Sequence, residues 1–97
     1  MKYYSTNRQS PVVSFKEAAV KGQAPDRGLY FPERIPVISQ QWLNQFRFIP
    51  KEELAFQIMQ PYVGVDISAE KLYQIVTETI NFDFPLIQLE EDIYVLE

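Results

Sequence analysis

The sequence predicts an α+β fold, a small domain of short strands or hairpins with about four helices packed on a small sheet or on two ribbons. Three observations lead there. Both ends of the chain are rich in β-formers, Lys2-Tyr3-Tyr4-Ser5 at the start and Pro85-Leu86-Ile87-Gln88-Leu89 with Ile93-Tyr94-Val95-Leu96 at the finish. The middle repeats its apolar residues at helical spacing. Helix-start chemistry stands before each of those repeats, at Ser14, Ser39, Pro50 and Ser68.

The elements follow in order. Lys2–Ser5 and Pro11–Val13 read as two short strands joined by the polar turn Asn7-Arg8-Gln9-Ser10. Ser14-Phe15-Lys16-Glu17 has the capping-box pattern, in which Ser14 caps a helix and Glu17 reaches back. Phe15, Ala18 and Ala19 give that helix an apolar side, and Gly22 is placed to end it in a left-handed C-cap. Residues 23–38 read as a loop. Ala24-Pro25-Asp26-Arg27-Gly28 has turn chemistry, with Gly28 free to take a positive φ. Leu29-Tyr30-Phe31-Pro32 is extended, because Pro32 disfavours a helical Phe31. Pro36 ends any element begun at Glu33.

Ser39 caps a short helix to about Gln45, with Trp42 or Leu43 turned inward. Pro50 opens a helix over 51–60 whose apolar face is Leu54, Ala55, Ile58 and Met59, and Pro61 ends or kinks it. Ser68 caps a helix over roughly 69–80 with Leu72, Ile75, Val76 and Ile80 on one side. In the tail, Glu90-Glu91-Asp92 is an acidic turn between two strands, which makes a hairpin. No repeat or second domain is visible, so 1–97 reads as one domain. An apolar strand that runs to Glu97 suggests a truncated chain.

Composition removes several functions. The net charge is −4 and the basic residues are scattered singly, which argues against nucleic acid as a partner. No apolar run approaches the roughly 20 residues of a membrane span, and the start has no secretory h-region, so a cytoplasmic protein without a membrane partner is expected. With no Cys and no His, disulfides, thiol chemistry, imidazole bases and ordinary zinc sites are absent. The three glycines do not cluster into a phosphate cradle. Glu52-Glu53 suits the opening turn of a helix and Glu90-Glu91-Asp92 a solvated turn, so neither group is raised in pKa for acid–base work. The five lysines, Lys2, Lys16, Lys21, Lys51 and Lys71, fall where solvent is expected, away from the desolvation that a Schiff-base lysine needs. Most aromatic residues are flanked by apolar partners and serve a core. The turn Asp26-Arg27-Gly28-Leu29-Tyr30 stands apart, a charged pair in the longest irregular stretch, where binding residues concentrate.

The stretch Val13–Pro32, with its Ser-Phe-x-x-Ala helix, Gly22, and then Asp26-Arg27-Gly28-Leu29-Tyr30-Phe31-Pro32, resembles the opening of threonine synthases. Met1–Thr6 is similar to the family's first strand, and Ile93–Glu97 to the strand that leads into the family's Phe-Lys-Asp motif. Two positions depart from the pattern: Pro61 sits where the family's helix runs on, and Arg27 where a small or polar residue is common. The resemblance implies an N-terminal, non-catalytic domain of a fold-type II pyridoxal-phosphate enzyme. That enzyme converts O-phospho-L-homoserine and water to L-threonine and phosphate, and the cofactor is the electron sink. The lysine that carries pyridoxal phosphate is expected beyond Glu97. This chain alone is therefore expected to hold no catalytic or cofactor-binding residue, no metal and no pyridoxal phosphate, and to be inactive. Its expected partners are the enzyme's own C-terminal catalytic domains, with self-association possible through the exposed docking face. Asp26, Arg27, Gly28 and Tyr30 are the substrate-side or interdomain candidates. A related enzyme with another substrate and a free-standing binding module are the alternatives.

Overall fold

The structure, a computed structural model, describes all residues from Met1 to Glu97. Strand β1 (Lys2–Ser5) lies at the centre of a three-stranded antiparallel sheet, flanked by β2 (Val13–Ser14) and β3 (Tyr30–Pro32). The register pairs Tyr3 with Val13 on one side, and Tyr4 with Phe31 and Ser5 with Tyr30 on the other. The alternation of a strand then separates two faces: Tyr3 and Ser5 are buried, whereas Lys2 is exposed and Tyr4 half-buried.

Helix α1 (Phe15–Lys21) follows β2 without a linker, because Ser14 ends the strand and caps the helix. The Ser14 hydroxyl accepts from the Glu17 amide at 3.1 Å. Only half of the expected capping box forms, since the Glu17 carboxylate turns to Lys21 at 4.0 Å. Gly22 has φ 71° and ψ −69°, which is not the left-handed helical cap expected of it. It centres a γ-turn in which the Gln23 amide donates to the Lys21 carbonyl at 2.9 Å. A positive φ is needed either way, so glycine fits both.

Helix α2 (Gln40–Gln45) starts at Ser39, whose hydroxyl accepts from Trp42 N–H at 3.1 Å, and runs into a 3-10 turn at Phe46–Phe48. Trp42 is half-buried and Leu43 is exposed. Helix α3 (Lys51–Val63) passes through Pro61 and stops at Gly64, which has φ 60°. The proline does not end the helix where the sequence suggested. It lies two residues before the last helical residue, so its missing N–H costs only the bond to the Gln57 carbonyl. Helix α4 (Ala69–Thr79) is capped by Ser68, whose hydroxyl accepts from the Lys71 amide at 3.2 Å.

Two small cores result. Tyr3, Val13 and Ala18 form one between the sheet and α1, with Tyr30 and Phe15 packed on it. Val63, Leu72 and Val76 form the other between α3 and α4, with Ala55, Phe56 and Ile67 around it. Phe15 touches both cores and joins them. The Tyr3 hydroxyl donates to the Tyr62 carbonyl at 2.8 Å, and the Lys16 amide to Asp66 at 2.8 Å, so polar bonds reinforce the same seam. Burial there, with Tyr62 and Asp66 nearby, pushes the Tyr3 phenol above its ordinary range. The face that α3 turns inward centres on Ala55, Phe56 and Val63. Ile58 and Met59, expected inside, are 41% and 39% exposed.

The tail forms an antiparallel hairpin of β4 (Leu86–Glu90) and β5 (Ile93–Leu96), with Leu86 opposite Leu96. A register irregularity falls between Gln88 and Glu90, and Asp92 takes φ 63° at the tip. Every residue of both strands is exposed. Lys51 ties the base of the ribbon to α3, donating to the Phe82 carbonyl at 2.8 Å and meeting Asp83 at 3.4 Å.

Candidate functional site

The turn singled out in the sequence folds against the turn that follows β1. Pro25 sets the first bend, and the Arg27 amide donates to the Ala24 carbonyl at 2.9 Å. The Ala24 amide then donates to the Gly28 carbonyl at 3.1 Å and closes the loop. Beside it, the Arg8 amide donates to the Ser5 carbonyl at 2.8 Å. In each turn the residue whose N–H closes the turn has a positive φ: 57° at Arg8 and 69° at Arg27.

Asp26 stitches the two turns together. Its Oδ1 accepts from the Ser5 hydroxyl at 2.5 Å and from the Gly28 amide at 2.9 Å. Its Oδ2 accepts from the Gln9 amide at 2.9 Å. The Asp26 amide donates to Ser10 Oγ at 3.1 Å, and its carbonyl accepts from Asn7 Nδ2 at 2.9 Å. Ser5 is fully buried beneath the carboxylate. Donation by Ser5, then by the Gly28 and Gln9 amides, outweighs the burial that opposes ionisation, and lowers the Asp26 pKa from 3.8 to about 2.

Gly28 is buried, but the positive φ expected of it belongs to Arg27. Glycine is required at 28 by close approach. A Cβ there would overlap the Ser5 hydroxyl and lie 2.9 Å from the Asn7 amide nitrogen. Tyr30 packs on the first core with its hydroxyl buried and unpartnered. Leu29 is 65% exposed. Arg27 is exposed, and its guanidinium makes no hydrogen bond or ion pair.

Of the four candidates, then, Asp26 and Gly28 meet in one knot, Tyr30 faces the core beneath the sheet, and Arg27 faces solvent. The partners Ser5, Asn7, Gln9 and Ser10 did not stand out in the sequence. The only signal for them was the polar run Ser5–Ser10, whose pairing across 16 to 21 residues no local pattern reports.

A concavity of about 290 Å³ lies where the extended Pro36–Ile38 segment meets α2 and α3. Trp42, Ile58 and Pro61 help to line it, and Trp42 Nε1 donates to Gln57 Oε1 across it. No carboxylate or lysine lines it, and its hydroxyls are those of Ser39 and Tyr62. No group of three His, Cys, Asp or Glu side chains is placed to hold a metal, and no helix is long and apolar enough to cross a membrane.

Residues 2–80 match the family model described as the threonine synthase N terminus. The threonine synthase of Methylobacillus glycogenes is 38% identical over 99% of this chain. A PLP-bound threonine synthase from Brucella melitensis superposes with a TM-score of 0.87 at 33% identity, and the threonine synthase of Escherichia coli with 0.86 at 27%, each over the whole chain. The chain spans only 22–23% of the length of these proteins. All five lysines are exposed and no glycine-rich turn opens a helix, so the residues present do not fit pyridoxal phosphate. The match of residues 2–80, the identity along the chain and the agreement of the whole backbone show that the chain belongs to the threonine synthase family, as its N-terminal domain.

Proposed function

We propose that this chain is the non-catalytic N-terminal domain of an enzyme that converts O-phospho-L-homoserine and water to L-threonine and phosphate. The observation that carries the reading is the match of residues 2–80 to the family's N terminus, within a chain that spans less than a quarter of its relatives. Pyridoxal phosphate and the groups that react with it then belong to the rest of the enzyme. The structure of the chain supports this division of labour. The Asp26 carboxylate is spent on stitching two turns, and the concavity beside Pro36–Ile38 is lined mainly by apolar groups.

On this reading the ribbon β4–β5 is a docking element. A lone two-stranded hairpin is marginal in water. Here Leu86, Leu89, Ile93 and Leu96 are each at least half exposed. Packing against the catalytic part would bury them. Asp26 serves as a positioning residue that shapes the interdomain turn, and Arg27 is the member of the candidate set free to make a contact. The test is cofactor uptake by the full-length enzyme and by this chain. The full-length protein should show the visible absorbance of lysine-bound pyridoxal phosphate and this chain should not; uptake by the 97 residues alone overturns the assignment.

A further inference from the structure

We propose that Arg8 and Arg27, together with the Tyr4–Phe31 pair on the open side of the sheet, form a docking face for a carboxylate-bearing protein surface, namely the remaining part of a longer threonine synthase chain. The inference rests on the reading above and adds the chemistry of the contact.

Both arginines occupy left-handed backbone, with φ 57° at Arg8 and 69° at Arg27, a region that disfavours a residue with a Cβ. They sit on two turns that Asp26 holds against each other through Gln9 N–H and the Asn7 side chain. Neither has an acidic partner in the chain. The two ion pairs present, Lys21–Glu17 and Lys51–Asp83, both use lysine. Two acids on the same sheet and turns are committed elsewhere. Asp26 is turned in to Ser5, and Glu33 accepts from the Lys2 amide at the other end of β1. None of the four arginines forms an ion pair in this chain of 13 acids and net charge −4, and Arg8 and Arg27 are the two carried on the turns that Asp26 stitches together, which leaves the complementary charge to a partner.

The setting favours a protein surface over a small anion. The Arg8 guanidinium lies 5.2 Å from the centroid of the Tyr4 ring, so it is held over the sheet. Tyr4 meets Phe31 edge-on at 6.3 Å, and Phe31 is 45% exposed. Stacked arginine and aromatic side chains on an open sheet are the residue types that anchor protein interfaces. A free phosphate asks for converging donors in a concavity. The two larger concavities lie elsewhere, at 36–62 and 14–21.

Hydrogen exchange tests this in the full-length enzyme and the 97-residue chain, wild type and R8Q/R27Q. The glutamine pair keeps the backbone strain and removes the charge. Segments 4–9 and 26–31 should exchange about tenfold more slowly in the full-length enzyme than in the short chain. The glutamine pair should abolish that difference and leave exchange in the short chain unchanged. Equal exchange at both lengths, or full protection retained in R8Q/R27Q, overturns the proposal. So does protection of the same segments in the short chain by inorganic phosphate but not by sodium chloride of equal ionic strength, which would make this a small-anion site. Failure of the full-length protein to release phosphate from O-phosphohomoserine would instead defeat the enzyme reading and leave the exchange result standing.

Discussion

At the scale of single residues, the knot around Asp26 converts two turns into one rigid corner. Gly28 is its tightest point. Gly28→Ala drives a methyl into the Ser5 hydroxyl and the Asn7 backbone, and neither can retreat because both are bonded within the corner. A loss of about 2 kcal/mol, as for other overpacked sites, should appear in urea unfolding of this chain. Arg8 and Arg27 point the other way. Replacing either by glycine relieves the left-handed strain, with some offset from backbone entropy, and should add about 1 kcal/mol, visible as a rise in Tm of about 4–8 °C. Acid should act through Asp26. Its folded pKa, about 2, lies below the ordinary 3.8, so its contribution is complete above pH 3.8 and is lost as pH falls through 2. Asp26→Asn removes that limb. An unfolding midpoint that varies identically with pH in wild type and Asp26→Asn would contradict the assignment.

At the scale of elements, local chemistry was legible and long-range pairing was not. Ser14, Ser39 and Ser68 each announced a helix because a cap acts within three residues, and each hydroxyl accepts the expected amide. The acidic hairpin turn was legible for the same reason. Pro61 misled because the cost of a proline depends on how much helix follows it, and here two residues do. Ile58 and Met59 fit the helical period but face outward, since α3 is chosen from a different side by α4 and Phe15. The pairing of Ser5 with Tyr30, and with it the burial of Ser5 against Asp26, has no periodic signature. The site was therefore legible as a turn but not as a knot, and the left-handed residue in it was misplaced by one position. The α3–α4 core has few members, so each matters. Leu72→Ala should cost about 3 kcal/mol and separate the two helices, read as lost helical circular dichroism at lower urea.

At the scale of the whole molecule, the chain is loosely assembled. Its radius of gyration is 16.5 Å, against roughly 12.5 Å for a compact domain of this length. Only nine of 97 residues are buried, so two small cores carry the fold. The ribbon and the segment from Ile35 to Phe48 leave many apolar side chains exposed, with Val37 at 96% and Phe48 at 87%. Surfaces of this kind are characteristic of docking regions. The isolated chain should self-associate as its concentration rises, and sedimentation that stays monomeric throughout would weaken the view of the ribbon as a docking element. The most direct measurement of the central claim is phosphate release from O-phosphohomoserine by the full-length enzyme and by these 97 residues. The account predicts threonine and phosphate in equal amounts from the full-length protein and none from this chain. A full-length protein that ignores O-phosphohomoserine, or turnover by the 97 residues alone, would contradict it.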